Sequence, residues 1–369
     1  MKAVVILPTY NERDNVQTLL DGVRNAWKKI PHHSLDIVVV DDLSPDKTAD
    51  VVVEYHRKQK NVYLVSGKKE GLGKALLRGM RYAIDKLDAD IIVQMDADLS
   101  HDPGSLPLFL RAIDDGGDFV VGSRYIDGGS IPNNWAIHRK IYSMAGNAIV
   151  RFGLGYLRVH DWTGGYRAYK REFASRIMSE MSLYEGYVFQ IAFLDKAIHA
   201  GARVVEVPIQ FSDRRFGHSK IAPYQYIRDI LWYVGKERIQ VLLAGSFGKF
   251  LVVGSIGFII NTVVLEGLVL FHFHPTIGSI VGAELAIISN FVLNNAWTFR
   301  SQAIDRGLRL RKFIQFNATS LGAVVIQAVS IAIGTAFFGV NAYRVFYIVG
   351  VAIGLVWNYT MYSRVIWKQ

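Results

Sequence analysis

An α/β domain with a mainly parallel sheet, followed by an all-α membrane domain of four helices, is the fold that this sequence predicts. Three observations carry that prediction. Over residues 1–222 short apolar runs alternate with amphipathic stretches, the pattern of chains that build parallel sheets. Several of those runs end abruptly in acidic residues. After residue 245 come four apolar stretches of bilayer-crossing length, about 20 residues each.

Taken in order, the strand candidates are residues 4–7, 37–40, 62–65, 91–95 and 119–121. Between them, residues 15–27, 48–58 and 74–87 space their apolar side chains at the helical period. Parallel strands point the same way, so Tyr10-Asn11-Glu12, Asp41-Asp42 and Asp96-Ala97-Asp98 fall on one carboxyl edge, where open α/β sheets bind ligands. Residues 223–245 then mix Ile227, Ile230, Leu231, Trp232 and Val234 with Arg228, Lys236 and Arg238. That mixture fits a juxtamembrane helix lying in the lipid interface; a plain docking helix is the alternative.

Within the membrane domain, 246–369, the spans are expected near 247–271, 275–296, 313–338 and 342–366. The loop 300–312 holds Arg300, Arg306, Arg309, Arg311 and Lys312, whereas the turns 272–275 and 339–343 hold no Lys or Arg. By the positive-inside rule this is a multi-pass protein whose 1–222 domain, basic loop and C-terminus face the cytoplasm. Asn290-Phe291 with Trp297 and Phe299 resembles Asn358-Tyr359 with Arg364 and Trp367, which suggests two hairpins of similar design. Charge inside the spans is sparse, chiefly Glu266 and Glu284, so an anchor is expected ahead of a transport path.

Composition narrows the partners. A hydrophobic content of 51% and a net charge of +10 point to a lipid bilayer and an anionic substrate. Nucleic acid is not expected, because no finger, RNP or basic-zipper pattern occurs. With no cysteine in the chain, disulfides and thiolate metal sites are excluded. The apolar run 3–7 is too short for a signal-peptide core and is broken at once by Pro8.

The chemistry concentrates at the strand ends. An Asp-x-Asp pair, Asp96 and Asp98, suits Mg²⁺ or Mn²⁺, which take oxygen ligands from few carboxylates and complete their shell with substrate phosphates. Ser100 or Asp102 also serves as the cap of a helix starting near Pro103. Gathering further acids on the same edge is unfavourable unless a cation, or hydroxyl and base donors, occupies the crevice. A nucleotide bound through a metal meets both demands. Gly71-Leu72-Gly73-Lys74 lacks the spacing of a Walker loop and reads as a helix N-terminus with a modest claim to a nucleotide contact.

The segments PTYNERDNV, VVVDDLSPDKT, GLGKALLRGM and MDADLSHDP together resemble an inverting GT-A glycosyltransferase of the family-2 type. The resemblance implies that Pro8, Tyr10, Asn11, Glu12, Val40, Asp41 and Asp42 line the nucleotide pocket, with Gly71 and Lys74 beside it and Asp96 reaching it. Asp96 and Asp98 would hold the metal and diphosphate, with Ser100 in support. That pattern commonly has Gln where this chain has Ser100.

Downstream, Gly122-Ser123-Arg124-Tyr125, then Trp135, Arg139, Ser143 and Asp161-Trp162-Thr163-Gly164-Gly165-Tyr166-Arg167 are similar to dolichyl-phosphate mannose synthases. Arg214 to Lys220 matches that family's Arg-x-x-Gly-x-Ser-Lys ending. On a helix, Arg139 and Ser143 share one face and can grip a phosphate together; Arg124, Arg214 and Lys220 are expected to complete the grip. Asp161 is the favoured sugar contact, ahead of Glu185-Gly186-Tyr187 to Gln190, and His101 is expected to be solvated or capping. The implied reaction is inverting transfer of mannose from GDP-mannose to dolichyl or polyprenyl phosphate, with Asp96, Asp98, Arg124 and Asp161 as the catalytic set. UDP-glucose is the alternative donor. A processive polysaccharide synthase is disfavoured because its Arg-Trp motif is absent, and the four spans also resemble small flippase-like proteins.

Overall fold

The computed structural model describes residues 1–213, 223–339 and 342–368. They form two compact units, Met1–Glu237 and Arg238–Gln369.

The first unit contains strands β1 (Lys2–Thr9), β2 (Ser34–Asp41), β3 (Val62–Ser66), β4 (Ile91–Gln94), β5 (Phe119–Ser123), β6 (Arg167–Lys170) and β7 (Val204–Pro208). Its helices are α1 (Arg13–Trp27), α2 (Thr48–Lys58), α3 (Leu72–Asp85), α4 (Leu106–Asp114), α5 (Ile137–Leu154), α6 (Arg171–Ile177), α7 (Gly186–His199) and the greater part of α8 (Pro223–Ala244), within which the boundary between the units falls. The sheet order is β3-β2-β1-β4-β6-β5-β7, and only β6 runs antiparallel to its neighbours. All five expected strands are present; β6 and β7 are additional.

Alternation along the strands builds two cores. Val4, Ile6, Val38 and Val40 meet Leu76 and Met80 of α3 on one face, while Val5, Leu7, Val39 and Val93 meet Leu19 of α1 and Phe109 of α4 on the other. With both faces covered, a strand can be apolar at every position, which is why these runs are legible in the sequence. Gly79 sets the closeness of α3 to the sheet: a Cβ there would lie 2.6 Å from Ile6 and 2.9 Å from Val40.

Helix α8 docks as well as displaying an apolar face. Ile230 and Tyr233 are buried, and the Tyr233 hydroxyl donates to Asp195 Oδ2 at 2.7 Å, whereas Leu231 and Trp232 are exposed.

In the second unit the helices are α9 (Ser246–Leu270), α10 (Pro275–Leu293), α11 (Arg309–Phe338) and α12 (Tyr343–Met361). Segments Ser246–Leu270 and Arg306–Phe338 are long and apolar enough to cross a membrane. Large apolar side chains such as Phe258, Leu270 and Leu321 are exposed, as expected where lipid rather than water is the solvent. Helices α10 and α12 begin and end 68 residues apart (275 to 343, 293 to 361), and each runs into a π-turn, Asn294–Thr298 and Tyr362–Ile366. Phe299 and Trp367, 68 residues apart, stack at 4.7 Å between ring centroids. The reciprocal pairs Phe291–Trp367 and Tyr359–Phe299 lie at 5.8 and 6.3 Å. The two hairpins therefore repeat one another in geometry as well as in composition.

Candidate active site

β1, β2 and β4 deliver their loops to the carboxyl edge, and each loop turns through a non-glycine residue in the left-handed region: Asn11 (φ 62°), Leu43 (φ 53°) and Leu99 (φ 61°). Such backbone is costly and persists where its surroundings hold it. Side chains of the second loop supply the hold for the first. The backbone N–H groups of Asn11, Glu12 and Arg13 donate to Ser44 Oγ, Thr48 Oγ1 and Asp46 Oδ2, each at 3.0 Å. Burial works against the Asp46 carboxylate, yet hydrogen bonds from Thr48 and Arg13 hold its pKa below the ordinary value.

Asp41 is buried within this frame, accepting from Thr9 Oγ1 at 3.1 Å and from Ser44 N and Oγ at 2.9 and 2.6 Å. Asp42 pairs with Arg78, which reaches over Gly67, where a Cβ would collide with the guanidinium. Burial raises the Asp42 pKa against the pull of Arg78, with Asp41 and Glu70 adding to the rise. Tyr10 lies under the Lys69 ammonium, 3.5 Å from its ring centroid, and Glu12 Oε2 accepts from Asn15 Nδ2 at 2.7 Å. Gly71, with φ 99°, precedes the first turn of α3, which carries Lys74. Val40 departs from expectation: the residue is fully buried, its side chain in the core beneath α3 and its carbonyl accepting from Thr9 Oγ1 at 3.2 Å, so it offers no surface to a ligand.

At the end of β4, Asp98 Oδ1 accepts from both Ser100 N and Ser100 Oγ, at 3.1 and 2.5 Å. Ser100 thus orients the Asp98 carboxylate. Asp96 is more open, its side chain 36% exposed, and it lies against Gly165, where a Cβ would sit 3.1 Å from Asp96 Oδ1. His101 is neither solvated nor a cap. It is buried between Tyr166 and Phe211, and its Nδ1 accepts the Asp96 N–H at 3.1 Å. A nitrogen that accepts this bond carries no proton, so the imidazole is neutral, and burial lowers its pKa in the same sense.

Asp161 also departs from its expected role. It has no exposed surface, and its oxygens accept from Arg124 Nε at 2.7 Å, Arg124 Nη2 at 2.8 Å, Arg124 N at 3.1 Å and Gly164 N at 3.1 Å. A second bond runs from Arg124 Nη2 to Thr163 Oγ1 at 2.9 Å. This is a buried bidentate pair that fixes the Gly164-Gly165 turn, and it leaves Asp161 no surface to offer a sugar. Burial opposes both charges, yet their mutual attraction lowers the Asp161 pKa and raises that of Arg124. Gln190, also expected near the sugar, accepts instead from Gln94 Nε2 at 2.7 Å inside the core.

Arg139 and Ser143 do lie on one helix, α5, with different partners. Ser143 Oγ meets Tyr125 OH at 2.6 Å. The Arg139 guanidinium lies 3.9 Å from the Trp135 ring centroid and 3.4 Å from Asp213 Oδ1, which also accepts from Trp135 Nε1 at 2.6 Å. Phe211 ties these groups to the acidic loop, with ring centroids 5.4 Å from His101 and 5.7 Å from Trp135, and the Arg124 guanidinium 5.4 Å away. Ser212 N donates to Ser100 O at 3.0 Å, and His101 bridges Phe211. Arg214, His218 and Lys220 lie outside the described residues.

Arg78, His101, Phe211 and Gly165 were thus not singled out as site residues by sequence. Arg78 stands inside a quoted motif but resembles any charged residue on an amphipathic helix. The other three matter through neighbours distant in the chain.

Comparison with known proteins places the chain in a family. Residues 4–178 match the model of glycosyl transferase family 2, and residues 249–367 that of the GtrA/DPMS transmembrane domain. A dolichol-phosphate mannosyltransferase of Pyrococcus furiosus is 32% identical over 375 residues, covering 100% of this chain and 99% of that protein. A polyprenol monophosphomannose synthase of Mycolicibacterium smegmatis is 40% identical over 241 residues, covering 65% of this chain and 88% of its own. Among solved structures, glucosyl-3-phosphoglycerate synthase from Mycobacterium tuberculosis in complex with Mn²⁺, UDP and phosphoglyceric acid aligns with a TM-score of 0.46. It is 19% identical over 63% of this chain and 78% of that one.

Proposed function

The chain belongs to the dolichol-phosphate mannosyltransferase family of glycosyl transferases, and on that premise we propose that it transfers mannose from GDP-mannose to a polyprenyl phosphate at the cytoplasmic membrane face. The observation that carries this reading is the segment that follows β7 and runs to Asp213. It is hydrogen-bonded to the Asp-x-Asp loop through Ser212 and Ser100 and leads directly into the basic Arg214 to Lys220 stretch.

Asp96 and Asp98 fit a hard divalent cation: both offer oxygens at the sheet's carboxyl edge, Asp98 is oriented by Ser100, and Gly165 leaves room beside Asp96. A bound Mg²⁺ or Mn²⁺ supplies charge neutralisation to a leaving diphosphate. The remaining work falls to the chain. The frame built from Ser44, Asp46 and Thr48 holds the Tyr10 to Glu12 loop for the nucleoside, and Arg139 orients the acceptor's phosphate. An oxygen of that phosphate attacks the anomeric carbon as the bond to the diphosphate breaks, inverting the centre. A phosphate monoester is largely dianionic near neutral pH, with a second pKa of about 6, so no strong general base is required.

For the membrane half we infer four spans with the basic loop and C-terminus cytoplasmic. Lys312 Nζ donates to Val365 O at 2.9 Å, and Asn295 Oδ1 accepts from both Ile304 N and Trp367 Nε1, so both segments sit at one end of the bundle, consistent with a shared side. A second reading, a fused lipid translocator, draws on a cavity of about 860 Å³ lined by Asn290, Asn294 and Asn358. Their Oδ1 atoms are buried and have no hydrogen-bond partner among the described residues.

Membranes containing the enzyme, supplied with polyprenyl phosphate and either labelled GDP-mannose or labelled UDP-glucose, test the donor. Mannosyl lipid is expected; glucose transfer without mannose transfer overturns the assignment. Because the chain has no cysteine, Gln302→Cys and Phe273→Cys test topology with an impermeant maleimide, which is expected to label them from opposite sides. Flipping of mannosyl lipid by the reconstituted chain would favour the second reading.

A further inference from the structure

The edge of the sheet opposite the active site carries a second group of metal-ligating side chains. His32 and His33 end the connection into β2, and Asp114 is the last residue of α4, shortly before β5. β2 and β5 run in the same direction, so all three residues gather at the amino edge. We propose that His32, His33 and Asp114 form a binding site for a borderline transition-metal ion of the Zn²⁺ or Ni²⁺ class, separate from the site for the nucleotide's metal.

The geometry is close to what such an ion requires. His32 Nε2 and His33 Nε2 lie 3.1 and 2.9 Å from the same oxygen, Asp114 Oδ2, and the three ligand atoms all fall within 4.8 Å of one another. Tetrahedral zinc, with bonds of about 2.0–2.2 Å, separates its ligands by about 3.3 Å; the two His–Asp separations lie within a few tenths of an ångström of that, and rotation of the exposed His32 side chain brings the two imidazole nitrogens, within 4.8 Å of each other, to the same spacing. The His33 side chain is 1% exposed and forms the inner wall, while Asp114 at 32% and His32 at 62% leave the outer side to a water ligand. Among the described residues the buried His33 Nδ1 has no hydrogen-bond partner, so the Asp114 end of the ring is its polar face.

Donor type gives the selectivity. Two imidazoles and one carboxylate favour Zn²⁺, Ni²⁺ or Cu²⁺, whereas Mg²⁺ and Mn²⁺ prefer all-oxygen sites such as Asp96 and Asp98. On binding, each ring gives the Nε2 lone pair to the metal and carries its one proton on Nδ1: a neutral ring does so in its Nδ1–H tautomer, and a doubly protonated ring first releases its Nε2 proton to solvent. The ion clips the α1–β2 connection to the end of α4, segments 81 residues apart in sequence, and so acts on stability rather than on glycosyl transfer.

The test uses the full-length protein in detergent, stripped of metal and titrated with Co²⁺ and Zn²⁺ in the presence of excess Mg²⁺. One Co²⁺ per chain with tetrahedral visible absorption bands, displaced by Zn²⁺, is expected, together with a Zn²⁺-dependent rise in melting temperature. Asp98→Asn is expected to retain that site, while His32→Ala, an exposed position, and Asp114→Asn weaken it about tenfold or more. Saturable Co²⁺ binding that is unchanged in both His32→Ala and Asp114→Asn, or that disappears in Asp98→Asn, overturns the proposal, as does the absence of saturable binding.

Discussion

Replacing Asp161 with Asn separates a structural role from a substrate contact. The wild-type carboxylate is fully buried and accepts three hydrogen bonds from Arg124 and one from Gly164. The amide keeps the shape but removes the negative charge, leaving a buried guanidinium uncompensated. Breaking one partner of a buried pair costs about 3–5 kcal/mol. Asn still accepts part of the network, so the lower end of about 3 kcal/mol is expected. In a domain of this size 1 kcal/mol moves the melting temperature by about 2–4 °C, which predicts a fall of about 6–12 °C. The pH dependence follows in sign. Arg124 depresses the folded-state pKa of Asp161, so the pair's contribution is fully present above the unfolded carboxyl value of about 3.9. It is lost as pH falls through the lower folded value. The wild type therefore carries an acid-sensitive increment of stability that Asp161→Asn lacks. Thermal unfolding of both proteins at neutral and acid pH, alongside donor and acceptor kinetics, checks this. An unchanged melting temperature with a selective loss of mannose transfer would refute it and return Asp161 to the sugar.

Two further outcomes follow from the acidic loop and its surroundings. Arg139→Ala removes a half-exposed guanidinium from its place over Trp135; loss of a charged hydrogen bond of about 1.5–3 kcal/mol is expected to raise KM for polyprenyl phosphate about 10- to 100-fold with KM for the sugar nucleotide unchanged, read from separate titrations. Gly165→Ala places a methyl 3.1 Å from Asp96 Oδ1; displacement of that carboxylate is expected to lower kcat by about 10- to 100-fold while the melting temperature stays close to wild type, measured on the same preparation.

The central strands were legible because burial on both faces removes the need for polar alternation, so β1, β2 and β4 read as continuous apolar runs. Strand β6 was not, since its four residues include Arg167 and Lys170. Arg167 is tolerated in the core only because Gly164 O, Gln190 O and Trp162 O accept its guanidinium hydrogens, and burial pulls its pKa down to about 9. None of those acceptors is visible in a local pattern. The near repeat of the membrane half was legible in part through Asn290 and Asn358; the shared 68-residue offset of helices and π-turns needed coordinates.

Sequence by itself determined the two kinds of domain and the edge of the sheet on which the acidic loops, with the pair Asp96 and Asp98, come together, because hydropathy period and strand direction are local properties. Tertiary structure decided what each polar group does there. Asp161 became a buried counter-ion, Ser100 the partner of Asp98, and His101 the acceptor of the Asp96 N–H. A side chain's type lists the bonds it can form, but which one it forms depends on the groups that folding brings within about 3 Å.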